Sequence, residues 1–252
     1  MTDSETKHAI RMILITTSLG GMSYLSFNNG LLLAYFSYLG IPSATILILL
    51  ALLPLSQFVF MIPFSYLSDI YGKKLIGNFG MVLSIIGFLL MAIASVFSET
   101  YRTLVVGLGV GIFGAGSALI IGNWFALLHP IIPENIRGRF FGRLRLTWQS
   151  IGIIFTLAVI YILDQYPNLG MYQAVIGTIT ILMAVRMIYY QRIPELDKVQ
   201  PKKETFRKSF LKVLAIPEYL SFCAYCFLLT LFTGACPQIF NLIEKDVLHL
   251  SK

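Results

Sequence analysis

Ser65-Tyr66-Leu67-Ser68-Asp69-Ile70-Tyr71-Gly72-Lys73-Lys74 is a short polar cluster wedged between two long apolar runs, 44–67 and 75–97. It gathers an Asp, a Gly and two Lys into a connection too short for any structure of its own. The flanking runs read as helices that cross a lipid bilayer, because roughly 20 apolar residues in helical form span the hydrocarbon core. The cluster is thus a tight loop between two spans. Lys73 and Lys74 mark the side of the membrane on which it lies.

Working outward, runs 10–38, 103–128, 146–163, 170–190 and 213–240 also qualify, giving seven expected spans. Composition agrees. Hydrophobic residues are 57% of the 252, charged residues only 12%, and the mean hydropathy is +0.78; soluble domains are about a quarter charged. A water-soluble fold would have no surface on which to place so much Leu, Ile and Phe. The first run is too long for a cleavable signal peptide and lacks a small-residue cleavage site. Cys223, Cys226 and Cys236 all lie in the last run. The C-x-x-C they contain sits outside any βαβ pattern and reads as packing, so no metal or other cofactor is expected.

The charges set orientation. Of 19 basic residues, 16 fall on one side of the expected spans: Lys7 and Arg11, Lys73 and Lys74, the four arginines from Arg137 to Arg145, and eight from Arg186 to Lys212. Only Arg102, Lys245 and Lys252 lie opposite. The positive-inside rule then places the N-terminus in the cytoplasm, as expected of a multi-pass protein of a plasma or inner membrane. The net charge of +7 is topology and points to no nucleic-acid partner. A seven-helix receptor, whose N-terminus lies outside, conflicts with this bias. The linker after the sixth span sets Phe206, Phe210 and Leu211 among basic residues. Two readings stand for it: a helix lying on an anionic inner leaflet, or a solvated tether.

Two loops carry a family resemblance. Leu67, Asp69, Gly72, Lys73 and Lys74 match the loop 2–3 signature G-x-L-a-D-r-x-G-r-k of the major facilitator superfamily, with Ser65 at its first Gly and Ile70 at its central basic position. Pro133-Glu134-Asn135-Ile136-Arg137-Gly138-Arg139 resembles the P-E-x-x-R-G of the equivalent loop 4–5. The resemblance implies an all-α integral membrane protein with a six-helix bundle of 3+3 inverted repeats (residues 1–190). A basic cytoplasmic linker (191–212) and a seventh helix opening a second half (213–252) would follow. It implies a secondary transporter that moves a small solute by alternating access and performs no chemistry on it. The chain would end where an eighth helix should begin. A truncated transporter lacking its C-terminal half, unable to transport alone, is therefore expected.

Polar groups within the spans are the candidate site. None of the twelve carboxylates lies deep in a span; one at a helix centre costs about 2.5–3.5 kcal/mol and would mark an ion path. Asn28 and Asn29 in span one, Gln57 in span two, Asn123 in span four and Gln149 in span five fall on the four helices that line the cavity in this superfamily. Tyr24 lies one turn below Asn28 on the same face. Each is a candidate solute contact, and each equally suits an interhelical hydrogen bond or core packing. Amides without carboxylates suit a neutral polar solute. Asp69, Gly72, Lys73 and Lys74, with Glu134, Arg137, Gly138 and Arg139, would form a cytoplasmic charge latch; the alternative is that they only set topology. Gly107, Gly111, Ala115, Ala118 and Gly122 form a small-residue stripe on span four for close helix packing. The superfamily often has an Arg in that span, where this chain has Thr103. His8, His129 and His249 are scattered, and no hydrolase or metalloprotease motif is present, so no enzyme is expected.

Overall fold

The computed structural model describes residues 3–196, and beyond them 208, 210–212, 215–234, 236, 237, 239, 240 and 243. It divides into two units, 1–199 and 200–252. Most of the basic linker, the exit of the seventh run and His249 lie outside the described residues.

The first apolar run is not one helix. α1 spans Asp3–Leu25 and α2 spans Leu31–Tyr38. Between them Ser26-Phe27-Asn28-Asn29-Gly30 turns the chain, with Gly30 left-handed at φ 83°. The Asn29 side-chain oxygen accepts from the Leu31 N–H at 3.2 Å and supplies a partner that α2 lacks at its start. The unbroken span expected over 10–38 is corrected accordingly: Asn-Asn-Gly is turn chemistry, and it wins over the apolar flanks.

The quoted cluster also differs from a loop. α3 runs Ser43–Tyr71 and α4 Lys73–Ile93, so the connection is Gly72 alone, at φ 100° and ψ 138°. α4 tightens into a 3-10 turn, Ala94–Val96. α5 is Glu99–Leu128; a short turn, Glu134–Ile136, leads into α6, Arg137–Gln165; α7 is Leu169–Gln191. α6 begins well before the apolar stretch 146–163, because arginine heads can reach water while the helical backbone continues. Five helices among the described residues are long and apolar enough to cross a membrane: α3, α4, α5, α6 and α7. In the second unit the seventh run is helical over Pro217–Thr233, here α8, 17 residues with Pro217 in its first turn.

α5 is the hub of the first unit. It packs most extensively on α4 and α3; α1 packs on α6 and α7, and α4 also meets α7. Glycine makes the α4–α5 contact possible. A Cβ built on Gly87 would lie 2.6 Å from the Gly109 carbonyl oxygen, and one on Gly80 would lie 2.7 Å from that of Gly116. The expected stripe serves the other neighbour: Gly107 faces Leu49, Gly111 faces Ser56 and Gly122 faces Ser65, all on α3. Phe27, Phe88 and Phe113 interlock beside this seam, with centroids 4.9–6.2 Å apart. Carbonyls where α4 tightens also take donors from other helices. Tyr35 donates to Met91 O at 2.9 Å, and Gln173 donates to Ala92 O at 3.0 Å.

Filling that contact is expected to cost about 1–3 kcal/mol, the range for overpacking a tight interior. Gly87→Ala should lower the unfolding midpoint in detergent, measured by denaturant titration. Gly177→Ala, where a Cβ meets nothing within 4 Å, should not.

Candidate functional site

A cavity of about 300 Å³ lies among α1, α4, α5, α6 and α7. Its walls follow from two small residues in α1. A Cβ on Gly20 would overlap the Arg186 guanidinium, approaching Nε to 2.6 Å; one on Gly21 would sit 3.3 Å from the Trp148 ring. Gly20-Gly21 therefore gives Arg186 of α7 and Trp148 of α6 their room. Trp124 and Phe113 of α5 complete the aromatic wall, and Tyr24 stands at its edge, 41% exposed.

Arg186 is the one charged group in this wall among the described residues. A cation at a helix centre costs about 2.5–3.5 kcal/mol. Its Cα is five residues from the end of α7, close enough for the side chain to snorkel outward. It does not. Side chains on a helix lean toward the helix N-terminus, which for α7 is the far side of the bundle, and Arg186 packs back onto Gly20, ten residues into the first apolar run. Its Nε is buried and has no hydrogen-bond partner among the described residues.

The cavity hydroxyls are already committed as donors. Thr17 donates to Ile13 O at 2.9 Å, while Ser23, Ser84 and Ser117 donate to Gly20, Gly80 and Gly114 carbonyls at 2.8 Å each. What remains to a solute is the guanidinium, the Tyr24 phenol, the indole N–H groups of Trp124 and Trp148, and oxygen lone pairs.

Of the residues expected to contact solute, Tyr24 lines this cavity; Asn28, Asn29, Gln57, Asn123 and Gln149 do not. Asn28 donates to Tyr24 O at 3.3 Å and Asn29 to the Thr156 hydroxyl at 3.3 Å, both at the break in the first span. Gln57 donates to the Ser117 hydroxyl at 2.9 Å, tying α3 to α5. Asn123 is buried in α5 with both side-chain polar atoms unpartnered among the described residues. Gln149 is exposed on α6. Arg186, Trp124 and Trp148 were the residues sequence reasoning missed. By its place near the end of an apolar run Arg186 groups with the charges expected on the cytoplasmic side, although it interrupts that run.

At the end of the bundle that carries Lys73 the loops hold neighbouring helices together. Glu195 accepts from the Lys73 backbone N–H at 2.7 Å, an anion at the start of α4. Lys73 Nζ donates to Ala126 O at 3.2 Å near the end of α5, where the helix dipole favours a cation. The Tyr190 hydroxyl reaches Lys73 O at 3.4 Å. Glu134 pairs with Arg137 at 3.9 Å, one turn apart and with the carboxylate 88% exposed, a geometry worth little. Asp69 and Lys74 are half-buried, and Gly138 and Arg139 are exposed. The backbone of Gly72 suits glycine alone, so Gly72→Ala is expected to cost about 1–3 kcal/mol in thermal or denaturant unfolding. Gly142→Ala in α6, where a Cβ meets nothing within 4 Å, should cost none.

The helical plan and both loops can be set beside known proteins. A family model, that of the Major Facilitator Superfamily, matches residues 13–252. A search of the curated proteins found no match. With nearly the whole chain inside that match and a bundle of membrane-length helices around a cavity, the protein belongs to the Major Facilitator Superfamily of multi-pass membrane transporters of small solutes.

Proposed function

We propose that residues 1–190 form one half of a secondary transporter that carries a small solute by alternating access, with its N-terminus in the cytoplasm. The cavity that holds Arg186 carries the reading, because a desolvated cation inside a membrane bundle marks a solute or ion path more often than a packing site. The helix pairings support inverted repeats. Exchanging α1–α2, α3 and α4 with α5, α6 and α7 turns the α1–α6 and α1–α7 pairs into α5–α3 and α5–α4, and leaves α4–α7 unchanged. The face of α6 bearing Ile153, Ile154 and Leu157 is more than 60% exposed, which suits contact with lipid or with a second half. Within this reading the inner loops clasp one half as a rigid body, and the charges of Lys74 and Arg139 suit contacts across the two halves. The expected preference for a neutral solute loses its basis, since the amides that suggested it lie away from the cavity.

Aqueous access tests the reading. With Cys223, Cys226 and Cys236 replaced by Ser, Ser117→Cys in the full chain should react with a membrane-impermeant maleimide in intact membranes. Leu157→Cys on the exposed face of α6 should stay unreactive. Equal reactivity of the two positions would refute a water-filled route.

A further inference from the structure

Resting on that reading, we propose that the transported solute is a small organic anion with an apolar or aromatic body, whose anionic group is bound by Arg186. Among the described residues the cavity is lined by one charged group, which is positive, and by no carboxylate. The guanidinium lines the cavity, and its buried Nε–H has no partner among the described residues, so its hydrogen-bonding capacity is not met within the bundle. The neighbouring hydroxyls spend their protons on their own helices, so beside the indole and phenol groups the guanidinium is the charged donor that the wall offers. A carboxylate or phosphate oxygen needs donors, and guanidinium offers them in a planar fork. In the same wall, Trp124, Trp148 and Phe113 provide ring surface for an apolar body. The glycine at position 20 is part of the same device, because any side chain there would fill the recess the guanidinium occupies. A bound anion would neutralise the cation inside the bundle, so charge recognition and occupancy reinforce one another.

The chain has two tryptophans, Trp124 and Trp148, and both line this cavity, so intrinsic fluorescence reports on it directly. The full chain in lipid nanodiscs is titrated with benzoate, 3-phenylpropionate and phenyl phosphate, and with the neutral benzamide and 3-phenylpropionamide. The expected result is a saturable change in emission with at least one anion, at concentrations where its amide counterpart gives none. Carboxylate and phosphate arms distinguish the two anion classes. Arg186→Gln should weaken that response roughly 10- to 100-fold, as loss of charge-assisted bonds implies, and Arg186→Lys should restore part of it. Wild-type chain that answers to no anion, or to amides as well as to anions, overturns the inference without calling on any variant. So does a Gln variant that keeps wild-type affinity. If Ser117→Cys is labelled from water while the anions are silent, the anion assignment fails and the transport reading stands.

Discussion

The closeness of α5 to its neighbours is the constraint on which the rest of the bundle depends. In lipid there is no hydrophobic drive between helices, so association rests on packing and interhelical hydrogen bonds. Backbone-to-backbone contact at Gly80–Gly116 and Gly87–Gly109 brings α4 within reach of α5 on one face, and Gly107, Gly111, Gly114 and Gly122 admit α3 on another. With α3, α4 and α5 drawn into one slab, α7 closes on α4, and α1 is left to pack on α6 and α7. The cavity lies where the two groups of helices face each other. Its existence follows from the unequal packing, tight on the α5 seam and loose beside α1.

What could be read beforehand was set by local rules. Apolar runs of membrane length announced the five helices that are long enough to cross a membrane, α3 to α7, without any tertiary knowledge. Gly72 was legible as a turn residue, and its φ of 100° shows why no other residue suits a one-residue reversal. The break at Asn28-Asn29-Gly30 carried the same kind of signal. It was submerged because the two asparagines also suit a polar cavity, and only the third dimension decides between these uses. Gln57 illustrates the same ambiguity: its bond to Ser117 satisfies it across a helix pair, as an amide in lipid requires.

Arg186 was hidden for a different reason. A charge near the end of a span is counted by its Cα, and by that measure it belongs to the cytoplasmic cluster. The lean of helical side chains toward the N-terminus carries its guanidinium the other way, into the recess beside Gly20. The functional argument shifts with it. Amides scattered over four helices suggested a neutral solute, whereas a single cation among aromatic rings makes charge the discriminating feature. The contacts of Lys73 join neighbouring helices: it links the ends of α4 and α5 and, through Glu195, the segment after α7.

Because the seam between α5 and its neighbours underlies all of this, a proximity measurement across it is the most direct check. Ser56→Cys paired with Gly111→Cys, in full chain whose native cysteines are replaced by Ser, places two thiols across α3 and α5, where a Cβ on Gly111 lies 3.9 Å from the Ser56 hydroxyl. Mild oxidation in membranes should remove both thiols from reaction with a maleimide-linked polymer, while Ser56→Cys paired with Leu108→Cys keeps them. Free thiols in the first pair after oxidation, or equal loss in the two pairs, would contradict this packing and the cavity built on it.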